Sequence, residues 1–210
     1  MRIFASMKRV FLLIISIILL SNQSLWAISI DSLFVNLRIP ELSLLSTNNK
    51  LDLLDYYNCG QVANVENVYL GRTILTSKTS NTLQLETTKV NTIEIMVLTR
   101  EQGDSIVGVI STINEPVEMS QLQFYTLEGT PLNVNFTLPS VESFLGNASL
   151  QVKWNKLIPK LQVKATYLSE EKQLICSLSL KGLTLEEQQD LKLPMQQVCY
   201  NWNGLTFVQV

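Results

Sequence analysis

Residues 92–114 read TIEIMVLTREQGDSIVGVISTIN, two β-branched runs around a polar turn that holds Gly103. In the first arm Ile93, Ile95 and Val97 alternate with Thr92, Glu94 and Met96; in the second, Ile106, Gly108 and Ile110 alternate with Val107, Val109 and Ser111. Successive side chains of a strand point to opposite faces, so a period of two in Ile, Val and Thr predicts a hairpin. The second arm is apolar on both faces, which predicts a central strand covered on two sides. A third run, 120–127, places Leu122, Phe124 and Thr126 on one face and ends at Glu128-Gly129, extending the hairpin to a meander.

Outward from this stretch the same plan recurs. In 160–181, Leu161, Val163, Ala165 and Tyr167 oppose Lys160, Gln162, Lys164 and Thr166; after a Ser169–Lys172 turn, Leu174, Cys176, Leu178 and Leu180 continue the dry face. Residues 61–88 give short strands broken by Gly71 and Ser80-Asn81, and 196–210 give a closing hairpin around Asn203-Gly204, a strong two-residue turn signal. Helices are few and short. Leu33, Phe34 and Leu37 have helical spacing behind a capping Asp31, and Pro40 ends or restarts that segment. A second helix starts at Thr47 as cap, carries a Leu51, Leu54, Tyr57 stripe and stops at Gly60. Ser140 to Gly146 forms one or two turns, and Thr184 with Glu187 forms a capping box before a short helix bounded by Pro194. The expected class is α+β, mostly antiparallel β meanders and hairpins with a few short helices and a helical N-terminus behind a leader.

That leader is residues 1–27. Arg2, Lys8 and Arg9 precede an unbroken apolar run, 11–20, and a polar stretch leads to Ala27, the pattern of a secretory signal peptide. The run is shorter than the roughly 20 residues of a membrane span. The mature chain, 28–210, is then one α+β domain, or two similar β-rich halves, 61–133 and 147–210. Of 16 basic residues the leader holds three, leaving 13 against 18 acidic ones. That excess of acid opposes binding to nucleic acid or to an anionic membrane surface.

Chemistry is constrained by one absence: there is no histidine. Histidine-based triads and imidazole zinc sites are therefore excluded, and no sequence motif calls for a cofactor or a metal. Cys59 lies at a helix C-terminus, where the dipole disfavours a thiolate. Cys176 and Cys199 are candidates for a disulfide if their strand faces meet, with buried free thiols as the alternative. Asp52 and Asp55 share a helix face, as paired acids of a site would, although an amphipathic helix has a wet face in any case. Lys153, Lys156, Lys160 and Lys164 lie close together with no acid among them, and Lys153, Trp154 and Lys156 are the candidate contacts for an acidic glycan or peptide. Tyr56, Tyr57, Trp154 and Trp202 offer stacking surfaces for sugar rings or, equally, core packing.

The leader, the helix LSLLSTNNKLDLLDYYNCG (42–60), the meander and the stretch FYTLEGTPLNVNFTLPSVESFL (124–145) together resemble a family of small exported Bacteroidetes proteins of unknown function. The resemblance implies export to the periplasm or cell surface of a Gram-negative cell and carries no catalytic residues. In that setting Asp31-Ser32-Leu33 and Asp104-Ser105-Ile106 are similar to an O-glycosylation sequon, which makes Ser32 and Ser105 the candidate attachment points. The expected function is a non-catalytic periplasmic or surface accessory protein that binds an envelope protein, peptide or glycan, with exposed sheet edges free to take up a partner strand. The alternatives are a carboxylate-dependent hydrolase of envelope glycans and a structural subunit of an envelope assembly.

Overall fold

The 92–114 stretch forms the expected hairpin, β4 (Asn91–Thr99) and β5 (Ser105–Ile113), paired from Asn91 opposite Ile113 to Thr99 opposite Ser105. The structure is a computed structural model that describes residues 29–145, 156–190 and 197–210. The leader, Gly146, Lys153, Trp154 and Pro194 lie outside those residues.

Around the hairpin an antiparallel sheet runs in simple chain order: β1 (Asn64–Glu66), β2 (Arg72–Lys78), β3 (Thr82–Thr88), β4, β5, β6 (Met119–Tyr125) and β7 (Pro131–Leu132). The second sheet has the order β11 (Phe207–Gln209), β10 (Gln197–Trp202), β9 (Gln173–Ser179), β8 (Gln162–Leu168). The helices are α1 (Ile30–Asn36), α2 (Thr47–Asn58), α3 (Val141–Leu145) and α4 (Leu185–Asp190), with short 3-10 turns at Pro40–Leu42 and Ile158–Lys160.

Both faces of β4 and β5 are buried, each in a different core. Ile93, Ile95, Val107 and Val109 pack with Leu83, Leu85, Tyr125 and the α1–α2 residues Leu33, Phe34, Leu53 and Leu54. Met96, Leu98, Ile106 and Ile110 pack on the other side with Ala165, Tyr167, Leu174, Cys176, Val198 and Phe207 of the second sheet. The layers are therefore helices, seven-stranded sheet and four-stranded sheet, and the hairpin is the wall common to both cores. Gly108 sits in the middle of that wall because an added Cβ would lie 2.9 Å from Met96 Cγ, too close for either side chain to keep its place. The stretches read as similar halves become unequal sheets that share the second core.

Three local expectations change. The cap of α2 is Ser46, whose hydroxyl accepts from the Asn49 N–H (3.1 Å) while the Asn49 side chain accepts from the Ser46 N–H (3.0 Å); Thr47 is already the first helical residue. Likewise Ser29 caps α1, which frees Asp31 to pair with Lys78 of β2 at 2.8 Å and tie the helix layer to the sheet. The closing hairpin pairs Trp202 with Phe207, so its loop is four residues rather than two. The Asn203 side chain accepts from the Leu205 and Thr206 N–H groups (2.9 and 2.8 Å) and holds the wider turn, with Gly204 at φ +93°. The capping box at Thr184 and Glu187 forms as expected.

The stripe of α2 also shifts. Its inward face is Lys50, Leu53 and Leu54, flanked by Tyr57, whereas Leu51 is 44 % exposed. These four are at i, i+3, i+4 and i+7, the spacing of one helix face, and a lysine occupies its first position. Lys50 Nζ donates to the Leu37 carbonyl at 2.7 Å and lies 5.5 Å from the Phe34 ring centroid. Burial, and secondarily the charge of Arg38, pushes its ammonium pKa down to about 8.

An unfolded lysine keeps its proton to about pH 10.4. Between that value and about 8 the unfolded chain binds the extra proton, so this residue makes the fold more stable as pH rises through that window. Denaturant titrations from roughly pH 7 to pH 10 should show the wild type gaining stability relative to Lys50→Met across that interval. A constant difference between the two proteins would contradict the buried ammonium.

Candidate functional site

The second sheet does not seal the whole face it covers. Along β3, β4 and β5 the even-numbered residues face it, and cross-strand register puts Gln84, Glu94 and Ile110 in one row and Thr92 and Thr112 in the next. With Asn114 and with Lys164, Ala165 and Thr166 of β8, these residues line a cleft of about 190 Å³. Its walls are mostly hydroxyl and amide, with one acid and one base.

Glu94 is the acid. One carboxylate oxygen accepts from the Tyr167 N–H at 3.2 Å, and the other has no protein partner among the described residues. Burial pushes its pKa up to about 7, with the Tyr167 hydrogen bond offsetting part of the effect. Lys164 is the base, its ammonium 2.8 Å from Glu118 at the end of the loop before β6.

The same contacts explain how β8 crosses the first sheet. Its Ala165 N–H donates to Ser120 Oγ on β6 (2.9 Å) and its Tyr167 N–H to Glu94 on β4. Those donors lie on the strand's open edge, where a partner strand would otherwise bond. Two other sheet edges are blunted as well: the Asn49 side chain donates to the Glu66 carbonyl of β1 (3.0 Å), and β7 carries Pro131. Among the described residues, beta-strand addition, expected from the strand-rich sequence, is left with the three-residue β11.

A second feature stands at the end of the first sheet. The β1–β2 loop lifts Val68, Tyr69 and Leu70 into solvent at 55, 76 and 81 % exposure. It is held from beneath by Asn67, which is buried. The Asn67 side-chain oxygen accepts from the Tyr69 and Gly71 N–H groups (both 3.1 Å), and its amide nitrogen donates to Thr73 Oγ1 (3.3 Å) and the Thr87 carbonyl (3.4 Å). Leu70 is kept at φ +62°, a left-handed conformation that costs a side-chain-bearing residue about 1–2 kcal/mol. The turn after β3 and the last residue of β5 reach the same end of the sheet and add exposed Val90 and Ile113.

The residues singled out from sequence fall elsewhere. Lys153 and Trp154 lie outside the described residues, and Lys156 is exposed beside the turn that precedes β8. Two members of the basic cluster are neutralised from distant segments, Lys160 by Glu187 and Lys164 by Glu118, acids that linear spacing could not place there. Cys59, Cys176 and Cys199 are all free. Cys176 stands opposite Val198 across β9 and β10, so Cys199, one residue on, points to the other face, and no Cys176–Cys199 bridge forms. Asp52 and Asp55 are exposed on α2; Ser32 is exposed on α1 and Ser105 half-buried at the start of β5. Trp202 belongs to an aromatic cluster with Phe124 and Phe207, at centroid distances of 6.2 and 5.2 Å, and its indole N–H donates to the Thr99 carbonyl (2.7 Å). Sequence reading missed Glu94 and Asn67. The available signal for Glu94 was a lone acid in a run otherwise suited to burial.

A family model described as "Protein of unknown function (DUF3256)" matches residues 22–207. The chain is also similar to a solved structure, a domain of an uncharacterized protein from Porphyromonas gingivalis W83, with a TM-score of 0.67 at 21 % identity over 86 % of this chain and 96 % of that one. At that identity the likeness shows the fold. No curated protein matches.

Two outcomes follow from the geometry. Between about pH 4.5 and 7 the folded protein keeps a proton on Glu94 that the unfolded chain has lost, so stability falls as pH rises through that window. Glu94→Gln should match the wild type near pH 4 in urea denaturation and exceed it above pH 7, by at most about 3 kcal/mol. Asn67→Ala should cost roughly 1–3 kcal/mol, because it leaves buried donors and acceptors unpaired. Hydrogen exchange of the Tyr69 and Gly71 amides should accelerate with it, and unchanged protection would contradict the role given to Asn67.

Proposed function

The chain belongs to the DUF3256 family of proteins of unknown function, and we propose that it acts as a non-catalytic exported accessory protein that grips a folded protein partner through the Val68-Tyr69-Leu70 crest. The crest is the observation that carries this reading. Three consecutive apolar side chains held in solvent forgo their burial, which on a full scale is worth about 1.5–3 kcal/mol each. A buried asparagine and a left-handed leucine keep them there, so the tip is organised before any partner arrives and loses little conformational freedom on docking.

A protein pocket suits this tip better than the other surfaces. Tyrosine is enriched among the residues that dominate protein interfaces. Lipid surfaces that carry negative charge attract basic segments, and the chain without its leader holds 18 acidic residues against 13 basic ones. Strand addition is disfavoured by the capped edge of β8. The leader pattern at 1–27 supports export, and the absence of histidine supports a non-catalytic role. A glycan hydrolase of the two-carboxylate type needs a pair of acids about 5 to 9.5 Å apart, whereas the cleft is lined by the single carboxylate of Glu94.

The test is capture of the tagged mature protein from gently cross-linked envelope, side by side with a Tyr69→Ser/Leu70→Ser variant. Both substitutions are on exposed side chains, and an unchanged thermal midpoint would verify the variant's fold. One reproducible protein should accompany the wild type and fall by about tenfold with the variant, the loss expected when anchors of roughly 1.4 kcal/mol or more are removed. Equal recovery by both, or recovery of this chain alone, would overturn the docking role.

A further inference from the structure

The cleft beside Glu94 is separate from the crest and poses its own chemical question. Its volume of about 190 Å³ is well above the roughly 10–15 Å³ that seats one water and below the roughly 300–1,000 Å³ of sites for drug-sized molecules, so it has room for a small organic molecule. Two kinds of surface line it. Glu94, Thr92 and Thr112 supply a carboxylate and hydroxyls, while Ile110 and Ala165 supply hydrocarbon. None of the lining residues is aromatic, so a sugar ring would find no face to stack on. A hard divalent cation needs several carboxylate or carbonyl oxygens, and among the described residues no cluster of three potential ligands occurs.

What the cleft lacks is a cation for its acid. Glu94 takes one hydrogen bond, from the Tyr167 N–H, and its second oxygen meets no protein donor among the described residues. Lys164, the cationic residue of the lining, spends its charge on Glu118 and does not act on Glu94, whose proton affinity is set by burial and the Tyr167 N–H. A carboxyl group in that setting either keeps a proton or receives a cationic donor from outside. Further acceptors stand beside it. Thr92 lies two positions away on β4, and Thr112 is opposite Thr92 on β5. A hydroxyl has two acceptor sites, and Thr112 Oγ1 shares one hydrogen bond with Ser120 at 2.7 Å. An ammonium group carries three N–H donors, the number that one carboxylate oxygen and two hydroxyls can take.

We propose that the cleft binds a small aliphatic primary amine as its ammonium ion, the charged head on the second oxygen of Glu94 and the Thr92 and Thr112 hydroxyls, and the alkyl chain against Ile110 and Ala165. A charge-assisted hydrogen bond is about twice as strong as a neutral one, which selects the amine over an alcohol of the same shape. A bare monovalent cation would leave the hydrocarbon wall and most of the volume unfilled. Glu94 must be ionised to receive the ammonium, and burial keeps its proton on up to about pH 7, whereas an aliphatic amine stays charged to about pH 10. Binding therefore expels the proton of Glu94, and affinity rises from roughly pH 6 to pH 8. The charged or titratable groups on the elements packed against Glu94 are Lys164 of β8, paired with Glu118, and the Tyr167 phenol, which burial and the Glu94 charge keep above its ordinary range. β3 and β5 present the neutral Gln84, Ile110 and Thr112.

The experiment is titration of the whole mature protein with n-butylamine at pH 8, read by calorimetry and by amide chemical shifts, beside n-butanol, butyrate and potassium chloride at the same concentrations. Butylamine should bind with a Kd below about 1 mM and shift the Thr92, Thr112 and Ala165 amides, while the other three probes leave them in place. At pH 6 its affinity should be lower by about tenfold, with about one proton released for each amine bound. Glu94→Gln, which keeps the acceptor for the Tyr167 N–H, should weaken binding by about tenfold or more and remove its pH dependence. The proposal is overturned if butylamine at about 10 mM moves none of those amides, if butanol, butyrate or potassium moves them as far, or if Glu94→Gln binds as tightly as the wild type. The wild-type shift map decides the matter even where the variant folds poorly. It is independent of the crest, since neither Tyr69 nor Leu70 lines the cleft.

Discussion

The packing of the β4–β5 hairpin between two cores is the constraint on which the rest of this protein depends. A strand pair that is apolar on both faces cannot stand at a surface, and neither cover suffices alone. The helices α1 and α2 shield Ile93, Ile95, Val107 and Val109; the β8–β11 sheet shields Met96, Leu98, Ile106 and Ile110. Each cover in turn lacks a second apolar partner, so helix layer and small sheet are folded by the hairpin as much as they bury it. Gly108 marks how close the arrangement is, since the wall is thin enough there that one methyl group would displace Met96.

Polar groups inside this sandwich are the places where the packing is incomplete or has been organised for another purpose. Ser120 and Glu94 meet the open edge of β8 and set the path by which the second sheet crosses the first. Beside that crossing lies the cleft, lined by Gln84, Glu94, Thr92 and Thr112 of the first sheet and by β8. Asn67 has a different job: its four side-chain hydrogen bonds are spent on a loop whose exposed residues contribute nothing to the core. Burying an amide to hold three apolar side chains in water is a poor arrangement for stability alone, and an exposed apolar patch of that kind is what an interaction surface requires.

Much of the architecture could be read without coordinates. The two inner hairpins, the meander, the short strands of 61–88 and the capping box at Thr184 all appear where periodicity and turn residues placed them. Misreadings cluster where one local signal had two readings. Ser46 rather than Thr47 caps α2, since both are good caps and the choice fell to the one with an asparagine three residues on. The Asn203-Gly204 pair gives a four-residue loop because the Asn203 side chain bonds two amides beyond it. Lys160 and Lys164 looked uncompensated because their acids, Glu187 and Glu118, come from other parts of the chain.

By itself the sequence determined the strand pairs, their turns and the two-sided burial of β5, because side-chain alternation and turn chemistry act over a few residues and survive any packing. Only the tertiary structure decided which polar groups were trapped. Glu94, Lys50 and Asn67 look like ordinary polar residues in a linear reading; Glu94 and Lys50 became something else when another layer closed over them, and Asn67 when its loop folded onto β2 and β3. Burial, and the shift in proton affinity that comes with it, is a property of what covers a residue, and that cover is supplied by segments far away in the chain.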